Sequence, residues 1–127
     1  MKKFILAAIA AAALAAPAAA QSAGDPVKGE QVFKKCKACH QVGEGAKNGV
    51  GPLQNGIVGR KAGSVPDYKY SNALIEAGAK GLVWDEANLD KYLADPRGFL
   101  PGNKMAFVGL KKEDERADVI AYLKTLK

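Results

Sequence analysis

The chain has 127 residues, 19 Lys and Arg against 13 Asp and Glu for a net charge of +6, and only two cysteines. That length suits one domain and leaves no room for two ordinary cores, and cysteines as close as Cys36 and Cys39 enclose too small a loop to staple one. The basic excess could serve nucleic acid, an anionic membrane surface or an acidic protein; with no long Lys/Arg block and no nucleic-acid motif, the protein partner is favoured.

Lys2 and Lys3 precede an apolar run from Phe4 to Ala16, and Ala18, Ala19 and Ala20 supply the small residues of an export cleavage site. The run is shorter than the roughly 20 residues a membrane-spanning helix needs, and Pro17 interrupts it. Residues 1–20 therefore read as a signal peptide cleaved after Ala20, and 21–127 as the mature domain. The basic excess survives loss of the two leader lysines.

Asp25 followed by Pro26 is an acidic N-cap with proline at the first helical position, which predicts a helix from about Pro26 through the cysteines. Residues 41–65, with Gly51-Pro52, Gly56, Gly59 and Gly63, read as loop that must wrap around something. Ser71 can cap a short helix ending at Gly78. Asp85 can cap another, with Leu89, Tyr92 and Leu93 on one face, until Asp95-Pro96 stops it. A loop follows from about Arg97 to Leu110. The last helix carries Glu113, Asp114 and Glu115 at its positive end and Val119, Tyr122, Leu123 and Leu126 as a buried stripe, although nothing near Lys112 is a good N-cap. With one threonine, Thr125, and no alternating β-branched run, strands are not predicted. The fold class is all-α: three to five short helices and long loops, too little apolar surface to be stable without something filling the middle.

Cys36-Lys37-Ala38-Cys39-His40 is the C-x-x-C-H pattern of c-type haem attachment. On a helix these three residues share a face, so two thiols can form thioethers to the haem vinyl groups while the imidazole reaches the iron. A thioredoxin-like C-x-x-C would need a βαβ setting. Zinc would need a fourth ligand, which in a chain with one histidine and two cysteines would have to be a carboxylate or water. A chance match in a loop is the remaining alternative. Export, helical placement and missing core volume all favour one covalent haem c.

Beyond that motif, Gly51-Pro52, Gly59-Arg60-Lys61-Ala62-Gly63, Tyr68-Lys69-Tyr70-Ser71-Asn72, Trp84, Tyr92-Leu93-Ala94-Asp95-Pro96, Pro101-Gly102-Asn103-Lys104-Met105 and Ile120-Ala121-Tyr122-Leu123 follow in order. The mature chain thereby resembles class I c-type cytochromes of the bacterial c2 type, which are similar to mitochondrial cytochrome c. The resemblance implies the cytochrome c fold wrapped around one haem, His/Met coordination, and a soluble monomeric electron carrier in the bacterial periplasm. Its metal ligands would be His40 and Met105, the only methionine besides Met1; left alone, a methionine is more often core filler. The resemblance places Pro52 where a carbonyl holds the proximal histidine, Arg60, Tyr70 and Trp84 where donors meet the haem propionates, and Tyr92 where a phenol points toward the methionine sulfur. Each has a plainer reading: a turn for Pro52, a solvated charge for Arg60, core aromatics for the rest. Gly29 and Phe33 stand where the first helix packs on Val119 and Tyr122. One slot departs from the pattern: Gln54 stands where an apolar residue usually leans on the haem, which puts packing on the His40 side in doubt.

Lys35, Arg97, Lys104, Lys111 and Lys112 match positions that ring the haem edge in similar proteins, with Phe107 beside them. The implied partners are acidic redox proteins: a cytochrome bc complex as donor, and an oxidase, a photosynthetic reaction centre or a periplasmic reductase as acceptor. A peroxidase-like haem enzyme or a gas-binding sensor would need an exchangeable sixth ligand, and only displacement of Met105 would provide one.

Overall fold

A computed structural model describes residues 23–127; the leader and its cleavage after Ala20 fall outside them. Five helices follow one another: α1 Pro26–Phe33, α2 Asn72–Ala79, α3 Glu86–Ala94, α4 Pro96–Phe99 and α5 Glu113–Lys124. Asp25 caps α1 through the Val27 and Lys28 amides, Ser71 caps α2 through Leu74, and Asp85 caps α3 through Asn88. At α5, Lys112 gives no side-chain cap, and three acidic residues in the first turn face the positive helix end instead.

Two boundaries differ from the sequence reading. The first helix ends at Phe33 rather than running through the cysteines, because the next amides bond back three residues: Lys34 to Gln31 at 3.3 Å, Lys35 to Val32 at 3.1 Å and Cys36 to Phe33 at 2.8 Å. The segment after Pro96 is not wholly loop, since α4 restarts there. Asp95 ends α3 and then accepts from the Gly98 amide, so one residue stops one helix and caps the next.

α1 packs across α5, and α3 packs on both α4 and α5. Gly29 is the close point of the α1/α5 crossing: an added Cβ would run into the Asp118 carbonyl and the Tyr122 Cβ. Phe33 and Tyr122 stack tilted beside it at 5.5 Å between ring centroids. Arg116 ties α5 to α3 through a 2.7 Å bond from Nε to Asp90 and clasps the Leu110 carbonyl at 2.9 Å. Among the described residues the only β pairing is the isolated bridge between Lys61 and Val83. It holds the glycine-rich loop against the approach to α3.

The buried core joins Phe33, Val119, Ile120 and Leu123 of the helix crossing to Ile57 and Ala62 of the loop and to Trp84, Leu89, Tyr92 and Leu110. Cys36 and Met105, distant in sequence, both pack against this cluster. Among the described residues no helix is long and apolar enough to cross a membrane.

Candidate haem-binding site

Although regular helix has ended, the Cys39 and His40 amides both donate to the Cys36 carbonyl, at 3.1 and 2.9 Å. The motif thus forms its own closed turn, which keeps Cys36, Cys39 and His40 together. Both thiols are free; Cys36 is half-buried and Cys39 exposed. Burial pushes the Cys36 thiol pKa up, the neighbouring Cys39 adds to this, and Lys35 opposes it. Among the described residues no three His, Cys, Asp or Glu side chains converge as a zinc site would require.

The imidazole of His40 is held from one side. Its Nδ1 lies 2.7 Å from the Pro52 carbonyl oxygen. Burial pulls the His40 pKa down, the Pro52 bond partly restores it, and Arg60 lowers it further, which together favour the neutral ring. A neutral ring carries one proton; placed on Nδ1 to donate to Pro52, it leaves the Nε2 lone pair for a metal. Gly51 lies flush against this ring, where any Cβ would collide with it, and its amide donates to the Cys39 carbonyl at 2.8 Å.

Gln54 reaches back to this ring. Its side-chain nitrogen lies 2.8 Å from His40 Nδ1 and 3.2 Å from the Pro52 oxygen, so a polar amide covers the imidazole where an aliphatic chain was expected.

Met105 is half-buried on a loop fastened by Asn103. The Asn103 amide group donates to the Pro96 and Leu100 carbonyls, both at 2.9 Å, and its oxygen accepts from the Met105 amide at 2.9 Å. Tyr92 and Trp84 are buried beside Phe99, with ring centroids 4.8 Å apart for Trp84–Tyr92 and 6.0 Å for Tyr92–Phe99. These contacts give both rings a packing role. Burial, with a smaller contribution from Tyr68, pushes the Tyr92 phenol up to about 12.

Arg60 is half-buried and grips its own loop, from Nη1 to the Leu53 carbonyl at 3.0 Å and from Nη2 to Asn55 at 2.5 Å. A guanidinium has five N–H donors, so others remain for an anion. The Tyr70 hydroxyl accepts from the Val65 amide at 3.0 Å, which leaves its own proton to donate. Burial raises the Tyr70 pKa, while the Val65 bond and the nearby Arg60 charge pull it back. Arg60 and Tyr70 thus share one polar neighbourhood; Trp84 adjoins Arg60 along the backbone, its amide donating to the Arg60 carbonyl at 2.8 Å.

Sequence reasoning assigned no role to the asparagines that fix these loops. Asn55 bonds the Gly43 backbone through both ends of its amide, at 2.8 Å each. Asn48 links the Leu53 amide to the Pro66 carbonyl, at 3.0 Å to each. Asx residues inside a glycine- and proline-rich stretch were the available signal.

Two free thiols, a neutral imidazole with one nitrogen held and the other available, and a thioether against a common apolar cluster make a donor set suited to a covalently attached haem. A cytochrome c family profile matches residues 26–127. The cytochrome c2 of Rhodomicrobium vannielii is 60% identical over 123 residues, covering 97% of this chain and 96% of that protein. The solved structure of cytochrome cH from Methylobacterium extorquens superposes with a TM-score of 0.73 at 48% identity, covering 80% of this chain and 99% of its own. Cytochrome c2 from Rhodospirillum centenum gives a TM-score of 0.78 at 46% identity, covering 81% and 98%.

The chain belongs to the cytochrome c family, in the class I branch of the bacterial c2 type. It is an electron-transfer protein with one haem c bound covalently through Cys36 and Cys39.

Proposed function

We propose that the mature domain, residues 21–127, is a soluble monomeric one-electron carrier of the bacterial periplasm whose iron is ligated by His40 Nε2 and the Met105 sulfur. The observation that supports the ligand assignment is the 2.7 Å contact between His40 Nδ1 and the Pro52 carbonyl, which favours a proton on Nδ1 and leaves the other nitrogen free for a metal. The bound haem supplies a one-electron Fe(III)/Fe(II) couple. The protein's own contribution would be to hold His40 and Met105 in place as its ligands. Pro52 orients His40, Asn103 restrains the segment that delivers Met105, and Tyr92 and Trp84 exclude water. Arg60, Tyr70 and Trp84 would hold the propionates, Arg60 and Tyr70 through donors their protein contacts leave free.

A peroxidase-like enzyme or a gas sensor would need Met105 to leave readily, and the three Asn103 bonds oppose that. The leader before residue 21 supports export, and with it the periplasm.

Docking rests on Lys35, Arg97, Lys104, Lys111 and Lys112 around Phe107. Their freedom differs. Lys35 lies 3.7 Å from Glu115, and Lys111 donates to the Ala94 and Val108 carbonyls. Among the described residues no carboxylate lies within ion-pair distance of Arg97, Lys104 or Lys112, so these present unneutralised charge to acidic partners such as a cytochrome bc complex, an oxidase, a reaction centre or a periplasmic reductase. Lys104→Glu or Lys112→Glu should slow bimolecular electron transfer to an acidic partner at low salt, through the on-rate. Raising salt should erase the difference, because charges are screened over about 10 Å at 0.1 M. Lys80→Glu, on the cap of α2, is the control. Rates indifferent to salt, or as sensitive to Lys80 as to Lys104, would refute electrostatic docking.

A further inference from the structure

Gln54 occupies a position that sequence pattern makes apolar, yet its backbone is pinned on both sides. Its amide donates to the Gln41 carbonyl at 3.0 Å and its carbonyl accepts from Ile57 at 3.0 Å. The half-buried side chain is thereby delivered to one place, with Nε2 at 2.8 Å from His40 Nδ1 and 3.2 Å from the Pro52 oxygen.

Proton accounting decides what this contact does. With its Nε2 lone pair given to a metal, the one proton of the His40 ring would sit on Nδ1 and point at Pro52. The Gln54 amide nitrogen cannot accept it, since its lone pair is delocalised into the amide. Two N–H donors therefore converge on one carbonyl oxygen, which has two lone pairs to offer.

We propose that Gln54 is a positioning residue that raises the reduction potential of the haem by sharing the Pro52 carbonyl with His40. Two effects act in the same direction. A shared carbonyl pulls less on the Nδ1 proton, so the imidazole donates less charge to iron; and the positive end of the amide dipole lies beside the ring. Both disfavour the more highly charged ferric state, and hydrogen bonding around an axial ligand is an established lever on potential. The inference rests on His40 as an axial ligand.

Gln54→Leu restores an apolar side chain of similar length, and Gln54→Glu replaces the donor by an acceptor for the Nδ1 proton. Potentials should fall in the order Gln, Leu, Glu. The first step should shift the equilibrium with a fixed redox partner about fivefold to tenfold, or about 40–60 mV for a one-electron couple, the scale of one modest hydrogen bond. In the reduced holoprotein, the Nδ1 proton resonance of His40 should move downfield in Gln54→Leu as its bond to Pro52 strengthens. In the parent protein, both Gln54 amide protons should show nuclear Overhauser contacts to it, a measurement that needs no variant. An unchanged or higher potential in Gln54→Leu with an intact six-coordinate low-spin spectrum overturns the role of Gln54 alone, as does absence of the contacts. Loss of that spectrum on His40 substitution is expected; its survival overturns the ligand assignment beneath the proposal.

Discussion

Gly29→Ala sets two effects of opposite sign against each other. In a helix, alanine is favoured over glycine by about 0.5–1 kcal/mol. At Gly29 the added Cβ would stand 2.8 Å from the Tyr122 Cβ and nearer still to the Asp118 carbonyl. Ordinary carbon–carbon contact is about 3.5–4.0 Å, so α1 and α5 must part by about 1 Å. Overpacking of that kind costs about 1–3 kcal/mol, and loosening the Phe33–Tyr122 stack removes part of another ~0.5–1.5 kcal/mol. The steric side wins, leaving a net destabilisation of about 2 kcal/mol and a melting temperature lower by about 10 °C. Thermal unfolding of the oxidised holoprotein, followed by far-ultraviolet circular dichroism, measures this directly. Gln31→Ala, exposed on the same helix, is the control and should stay within about 0.5 kcal/mol of the parent. A Gly29→Ala protein melting at or above the parent temperature would show that the α1/α5 crossing has slack, and the argument for Gly29 would fail.

Met105→Ala should keep its covalent haem while lowering the potential and admitting carbon monoxide to the reduced iron; a protein that changes in neither respect would make Met105 filler. Alkaline pH probes Tyr92, whose phenol is raised from 10 to about 12 by burial. Its contribution to stability is complete below the unfolded value and drains away between pH 10 and about 12, because the unfolded chain gives up the proton first. At 1.36 kcal/mol per pKa unit the loss is about 3 kcal/mol. Tyr92→Phe should flatten that decline in urea unfolding measured across the same range, and an equally steep decline would remove Tyr92 as its source.

Most of the architecture was legible because local chemistry wrote it. Asp25, Ser71 and Asp85 each cap the helix that follows them, and Asp95-Pro96 ends α3. Two boundaries were not legible for a common reason. No side-chain pattern separates an α-helical turn from the tightened turns after Phe33, and α4 depends on Asp95 serving two helices, which a reading of Pro96 as a stop overlooks. At the site, the C-x-x-C-H motif carries its own chemistry, but the clamps do not. Asn103, Asn55 and Asn48 act on backbone groups far from them in sequence, so their roles emerge only when the loops are closed. Gln54 was visible as an exception to pattern. What it touches was not, since that depends on where the 51–56 loop lays it against His40.

The crossing of α1 on α5 joins the two ends of the domain: the Asp25 amide donates to Asp118 at 2.8 Å across 93 residues of sequence. A chain emerging from its N-terminus carries the haem attachment motif early, yet the first helix has no surface to rest on until the last one has been made. Closing so long a loop costs entropy that only the finished crossing repays. Clipping a dozen residues from the C-terminus should therefore act on the whole domain rather than on its end. Such a protein would retain every haem-attaching residue and lack the structure that makes them a site.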